Sequence, residues 1–452
     1  MTPIPPLSPQ QKLFYGACKL GPVLMLNIVT IATFWIYGNH FNLDPKLNGY
    51  GNAVGKVAIA LSGFMFGYIS DKMRPRESNF GRRKFFMWTG APLLAFSFVM
   101  IFIPHLFIPI DSGSSSGVFI WLLVWNSLFN IFYGYLNVPY HSWMPEITTE
   151  DERVTVSVYQ NSAMLVSNLI GSGFGFIIAG YLEKTGGLTP TAGIALMVFA
   201  VVVAILEVFF FLPALFFIKE RKVKYIKRNI IDEFKTVLKN KNYIYWVLGF
   251  SVLSSGVTLI AALVLDFIQH ILGYEKTSQF AIFGACMFAS IVSSFYFWSK
   301  LAKKIGKKWT LLISFMWLMP CLLLTTVVGK VPWIPAEIQG YIFGLGLGIG
   351  LSAGTLFPYA IIADLADDDE RKSGQSRAGL YTGFKSIPIN IAQALGFVFA
   401  GLLSDSLSLR MLGPIGAAII FVSSLILVWG DYDPFFKKKK HLISKNQDII
   451  EG

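Results

Sequence analysis

The sequence predicts an all-α integral membrane fold, with twelve transmembrane helices arranged as two pseudo-symmetric six-helix bundles. Three observations predict it. Hydrophobic residues make up 54% of the 452 residues and charged residues only 14%, a composition outside the range of soluble domains. Twelve apolar stretches recur, each near the roughly 20 residues that a helix needs to cross the hydrocarbon core. One half of the chain is also a rough copy of the other. Pro139-Tyr140 followed by Asp151-Glu152-Arg153 returns as Pro358-Tyr359 followed by Asp369-Glu370-Arg371, and Gly81-Arg82-Arg83-Lys84 returns as Gly306-Lys307-Lys308. Duplicated helical bundles with matching loops are a common build among secondary transporters.

In chain order the spans fall near 15–38, 51–70, 84–107, 118–140, 155–182 and 191–218, then 243–270, 278–299, 309–328, 335–363, 379–404 and 411–430. The domain organisation follows. Residues 1–218 form the first bundle, 219–242 a basic cytoplasmic linker, 243–430 the second bundle and 431–452 a basic cytoplasmic tail. In the linker, Ile226, Ile230, Phe234 and Val237 have helical spacing among lysines and arginines, which predicts a helix lying along the membrane surface. Gly171, Gly175 and Ala179, and likewise Gly346, Gly350 and Gly354, keep a four-residue spacing that lets helices approach closely.

The net charge of +12 does not point to nucleic acid, because of where it sits. With both termini inside, the inner segments hold 30 of the 38 Lys and Arg residues and the outer loops hold five: Lys46, Lys184, Lys276, Lys330 and Arg410. That bias places both termini in the cytoplasm of a multi-pass protein of the cell membrane, with the basic excess facing anionic lipid. Cys18, Cys286 and Cys321 lie far apart within spans, so neither a disulfide framework nor a metal site is expected. The Pro-rich, polar arm before Lys12 does not read as a cleaved signal. No set of residues with catalytic, metal-ligating or phosphate-binding spacing stands out; an enzyme is the least expected class, and no cofactor is implied. The Pro-Tyr pairs at 139–140 and 358–359 are expected to break their helices near the inner ends.

Gly67-Tyr68-Ile69-Ser70-Asp71 through Gly81-Arg82-Arg83-Lys84 resembles the loop signature of the major facilitator superfamily. Two further stretches sharpen the resemblance. They are Asn137-Val138-Pro139-Tyr140 through Pro145-Glu146 and Glu152-Arg153, and Ala363-Asp364-Leu365-Ala366-Asp367 through Lys372, Gly374 and Arg377. Together they are similar to the glycoside-pentoside-hexuronide:cation symporter family over roughly residues 12 to 430. The resemblance implies the major facilitator fold, a central sugar-type site and alternating access coupled to a cation. It also exposes departures. Ile59 and Gly63 stand where that family carries two cation-holding aspartates, and Lys19, Leu20 and Val23 surround the place of another. Asn137 replaces an acid, His141 an aromatic and Asn161 an arginine, while Lys385 matches a lysine of the eleventh helix. A coupling ion, H⁺ or Na⁺, is expected without the family's aspartate site, and the loss of that site favours proton coupling through another group, or uniport, over Na⁺ symport.

Substrate contacts are expected from two groups of residues. Asn126, Asn130, Tyr133 and Asn137 recur at spacings of four, three and four on one face of the fourth span, with Asn161 and Asn168 on the fifth and His141 at the end of the stripe. Lys385 lies about seven residues into its span, where an unpaired charge is costly and marks a cavity. Lys56 and Lys19, about one turn inside their spans, are also expected at the substrate site, with snorkelling to water as the other reading. Glu207 and Asp266 are the intramembrane acids, read first as structural pairs and second as proton carriers. At the inner ends, Asp71 with Arg82 and Arg83, and Asp364, Asp367 and Glu370 with Arg153 and Arg371, are expected to form a duplicated two-state latch.

The function these features imply is secondary transport of a small polar solute: a sugar, a glycoside or a uronate-like molecule. A lysolipid carrier of the same fold and a transport-inactive membrane scaffold or sensor are the alternatives. The expected partners are the solute and membrane lipids, and a monomer is expected.

Overall fold

A computed structural model describes residues 6–72, 81–109, 115–148, 150–219, 237–373, 378–406 and 409–434. Most of the surface helix expected over 219–242 and nearly all of the basic tail lie outside the described residues.

The described chain is helical. The first crossing is built from α1 (Pro9–Ala17) and α2 (Leu20–Asn39), separated by a turn at Cys18-Lys19. Ser8 starts α1: its hydroxyl accepts from Gln11 N at 3.2 Å and the Gln11 side chain accepts from Ser8 N at 3.0 Å. This reciprocal cap, with Pro9 in the first turn, satisfies amides that the helix cannot pair itself. The remaining helices of the first half are α3 (Pro45–Lys72), α4 (Arg82–Phe102), α5 (Ser115–Ile147), α6 (Glu150–Lys184) and α7 (Pro190–Phe217). The second half continues as α8 (Lys241–His270), α9 (Thr277–Ile305), α10 (Lys307–Leu323), α11 (Ala336–Leu356), α12 (Pro358–Ser373), α13 (Ala378–Ser406) and α14 (Leu412–Trp429).

Eleven helical stretches among the described residues are long and apolar enough to cross a membrane. The 28-residue α3 occupies the place of the second expected crossing. Large apolar side chains such as Ile205, Phe209, Phe216 and Phe217 on α7 point outward, as lipid rather than water demands. The expected breaks at the two Pro-Tyr pairs divide. At the second, α11 ends before Phe357 and Pro358 opens α12. At the first, α5 runs unbroken through Pro139 to Ile147, a correction to the expected break there. A proline removes one hydrogen bond, which a 33-residue helix packed along its length can absorb.

The glycine spacings do serve close packing. A Cβ at Gly171 would lie 2.7 Å from Leu24 O on α2, and one at Gly350 would lie 2.7 Å from Leu318 Cβ on α10. The chain divides into two compact units. The first comprises Met1–Ile226, Thr258–Gly284 and Gln393–Leu409; the second comprises Lys227–Val257, Ala285–Ala392 and Arg410–Gly452. The end of α8, the start of α9 and the end of α13 therefore cluster with the first bundle. Below, inner and outer ends are named by the charge bias of the loops.

Candidate functional site

The first unit contains a polar cluster that two helices build together. On α3, Asn48, Asn52 and Lys56 recur every four residues and so share a face; on α5, Asn126 and Asn130 do the same. The faces meet because glycines allow it. A Cβ at Gly55 would lie 2.6 Å from Asn126 Nδ2 and 2.8 Å from Asn130 Nδ2, and one at Gly134 would lie 2.1 Å from Ser62 Oγ.

The four asparagines form a buried ladder. Asn48 Nδ2 donates to Phe34 O at 2.6 Å and Asn52 Nδ2 donates to Asn48 Oδ1 at 2.9 Å. Asn126 Nδ2 donates to Asn52 Oδ1 at 3.4 Å, and Asn130 Nδ2 donates to Asn126 Oδ1 at 3.0 Å. The ladder ends on Asn130 Oδ1, which is buried and accepts no hydrogen bond. Such a group is a vacant acceptor in an apolar interior, a costly arrangement unless something else uses it.

Beside the ladder sits Lys56. It is only 7% exposed, donates to Thr30 Oγ1 at 3.3 Å and lies 6.0 Å from the Phe397 ring centroid. Among the described residues no carboxylate forms an ion pair with it. Leu26, Val29, Thr30, Asn52, Asn126, Asn130, Phe397 and Lys56 surround a cavity of about 10 Å³, room for about one water. Snorkelling is thus corrected for Lys56. Its helix begins at Pro45, before the apolar run, so the lysine stands eleven residues in, about 16 Å along the axis.

Lys19 is corrected in the same way. It is 5% exposed, donates to Asn137 Oδ1 at 2.7 Å and lies 5.4 Å from the Tyr140 ring centroid. The turn between α1 and α2 directs it inward. The structure thus brings Lys19 to Asn137, and Lys56 to Asn126 and Asn130, at two levels of the first unit. His141, exposed, has Nδ1 3.4 Å from Gln160 Nε2. Asn161 is exposed on α6. Asn168 accepts from Asn27 Nδ2 at 2.8 Å and so ties α6 to α2 rather than extending the stripe. Lys385 belongs to the second unit, on α13, and is half-buried.

The inner-end charges pair within each half. Arg82 Nη2 and Arg83 Nη2 both reach Glu146 Oε1 at 2.8 Å, and Arg83 Nη1 donates to Ser70 Oγ at 2.6 Å. In the second half Lys307 pairs with Asp364. These pairs are copies of one another: Lys307 follows Arg82 by 225 residues and Asp364 follows Glu146 by 218. Glu146 and Lys307 are the members that the expected latch left out. Asp367, Glu370 and Arg371 are exposed, Asp368 pairs with Lys372, and the side chains of Asp71 and Arg153 lie outside the described residues.

At the outer end, segments of the second half bond to the first within the same unit. Trp35 Nε1 donates to Gln269 Oε1 at 2.8 Å, and Gln269 Nε2 donates to Glu183 Oε2 at 2.7 Å. Asn39 Nδ2 donates to Asp266 Oδ1 and Thr277 Oγ1 donates to Gly180 O, each at 2.7 Å. These bonds form a seam between the two segments, in which Asp266 accepts from Asn39. Beside it His40 packs edge-on against Trp35, with ring centroids 4.7 Å apart; burial holds its imidazole down, to about 4.

Sequence patterns left out Asn48, Asn52, Thr30 and Phe397. The first two were visible as an Asn-x₃-Asn-x₃-Lys repeat, whereas Thr30 and Phe397 carry no pattern that points to Lys56.

Comparison with known proteins agrees with this architecture. A family model described as MFS/sugar transport protein matches residues 14–431. An uncharacterized symporter of Synechocystis sp. is 24% identical, over 86% of this chain and 84% of its own length. Sodium-dependent lysophosphatidylcholine symporter 1-A of Danio rerio is 21% identical, over 76% of this chain and 71% of its own. Among solved structures, a D-xylose-proton symporter has a TM-score of 0.67 at 14% identity, covering 93% of this chain and 98% of that one. A bacterial homologue of the human lysosomal transporter Spinster, inward-facing and occupied, has a TM-score of 0.63 at 12% identity, covering 92% and 95%. Matched from near its first helix to its last, the chain belongs to the MFS/sugar transport protein family and is a multi-pass membrane transporter of symporter type, not an enzyme.

Proposed function

We propose that this protein carries a small polar solute with an anionic group, of the uronate type, across the cell membrane by alternating access, coupled to a cation. Both termini lie in the cytoplasm in this reading, and the working unit is a monomer. The observation that carries the proposal is Lys56: a buried ammonium with a hydroxyl and a ring for company and no carboxylate paired to it. An unpaired charge at this depth is heavily penalised, and a solute carboxylate would relieve the penalty. The asparagine ladder supplies the amide and carbonyl groups that hydroxyls of a sugar need, with Asn130 Oδ1 as the vacant acceptor.

Free space for about one water is too little for a sugar, so the solute site opens only as α2, α3 and α5 part or their side chains swing. The seam at the outer end then defines one end state of the cycle. Coupling through the positions of the family's aspartate pair is not part of this reading. Ile59 is buried, and the space beside Gly63 belongs to Val138, which offers a cation no oxygen.

Equilibrium binding of labelled D-glucuronate and D-glucose to the purified full-length protein tests the proposal. Glucuronate should bind and K56Q should weaken that binding selectively. Equal binding of glucose and glucuronate, unaffected by K56Q, would remove Lys56 from the site.

A second reading rests on the relatives named as lysophosphatidylcholine symporters, at 21% and 22% identity. In it the phosphate of a lysolipid takes the place of the carboxylate at Lys56. Competition of glucuronate binding by lysophosphatidylcholine below its micellar concentration, and transport of that lipid, would favour it.

A further inference from the structure

Glu207 lies midway along α7, the most apolar helix of the first half, and is 0% exposed. Neither carboxyl oxygen makes a hydrogen bond to a described residue. It is packed against the interruption of the first crossing: a Cβ at Gly21 would lie 2.5 Å from Glu207 Cα and 2.6 Å from Glu207 Cγ. Glycine at 21 is therefore what lets the acid come flush with the start of α2, immediately after the Cys18-Lys19 turn.

Most titratable groups on the packed elements make hydrogen bonds of their own. From the α1–α2 turn, Cys18 donates to Phe14 O and Lys19 donates to Asn137 Oδ1. On α1, Tyr15 donates to Tyr140 O, and on α5 Tyr140 donates back to Tyr15 O. From α4, Lys84 donates to Leu215 O, two turns further along α7. On α6, Tyr159 packs against Gly16. None of these groups pairs with the carboxyl, and ionising it without a partner carries a heavy desolvation cost. Both oxygens are unused in this conformation, which leaves the carboxyl no partner to hold an ionised form.

We propose that Glu207 is a proton-binding site that couples proton movement to the transport cycle. This rests on the transport reading above and adds the ion and the residue that carries it. In one state the carboxylate, reached by water through the α1–α2 turn, takes one proton from hydronium and becomes the neutral acid. In the state seen here α1, α2 and α7 close over it. When the turn parts from α7 on the other side of the cycle, the acid gives that proton to water and the carboxylate is restored. One proton crosses per turnover. A proton needs one carboxyl, whereas a metal cation needs a shell of oxygens that one carboxyl does not supply.

Infrared difference spectra of the full-length protein in liposomes, taken between alkaline and acid buffer, read the site without any solute. The wild type should show the carbonyl stretch of a protonated carboxylic acid in an apolar environment. Glu207→Gln should lose that band, and Glu207→Asp should keep it at a shifted frequency, which shows that the fold persists. A wild type without the band, or a Glu207→Gln protein that retains it, overturns the proposal. In the same liposomes, uptake of labelled D-glucuronate is measured with and without a pH gradient, each protein normalised to its own uptake without one. The gradient should raise accumulation several-fold in the wild type and not at all in Glu207→Gln; stimulation of Glu207→Gln equal to wild type overturns the coupling role. If the wild type moves no glucuronate, the solute assignment fails, and the infrared band alone decides Glu207.

Discussion

Lys56 carries a basic group into the first unit with no carboxylate of a described residue paired to it, and two residue-scale predictions follow from groups of this kind. Replacing Lys56 by alanine removes one charge-assisted hydrogen bond to an anionic solute, about 2 kcal/mol or a roughly thirtyfold weaker affinity. Titration calorimetry with D-glucuronate checks it, and an unchanged affinity would contradict it. Lys385→Ala is expected to abolish uptake of the same solute, measured in proteoliposomes; a fully active variant would show that its half-buried ammonium has no part in transport. Much at this scale was legible in the sequence. The spacing of Asn126, Asn130 and Asn137 places them on one face of any helix, and the structure finds the first two in one buried ladder. The depth of Lys19 and Lys56 was not legible, because apolar runs mark where hydrocarbon begins while helices start a turn or two earlier, at Pro9 and Pro45. Nor could spacing show that Glu207 lacks a partner, since that depends on what α1 and α2 present to α7.

Helix pairs decide whether these residues meet at all. The α3–α5 contact depends on Gly134, whose absent side chain leaves room for Ser62 Oγ and Gly63 N, the latter 2.9 Å from where a Cβ would stand. Gly134→Ala must push the two helices apart, at about 1–3 kcal/mol, and should lower the thermal midpoint while weakening glucuronate binding. A variant as stable and as tight as wild type would mean that the contact yields without cost. At the inner end, Glu146 accepts from both half-buried Arg82 and buried Arg83, so Glu146→Gln removes the charge that both arginines share. The expected loss is about 3 kcal/mol, read in the same melting experiment. The sequence carried the existence of these helices and the duplication of their inner loops. It did not carry which acid pairs with which base, because Asp71, Glu146, Asp364 and Asp367 all lie near the basic motifs and only the fold selects among them.

For the whole molecule, internal duplication predicted two related bundles, and the ion pairs Arg82/Arg83–Glu146 and Lys307–Asp364 show the repeat at the level of side chains. What duplication could not foresee is the asymmetry of the buried polar groups. In the first half, spans of low charge hold the buried Lys19 and Lys56, an asparagine ladder and a carboxyl with no hydrogen-bond partner among the described residues. The central claim is that this molecule moves an acidic polar solute using a proton gradient. It is tested most directly by uptake of labelled neutral glycosides, uronates, sulfonated sugars and lysophosphatidylcholine into proteoliposomes, with pH and Na⁺ gradients imposed separately. The account predicts that uronates are taken up in preference to neutral glycosides and that the pH gradient drives their accumulation. Accumulation driven by Na⁺ and indifferent to pH, or no uptake of any member of the panel, would contradict it.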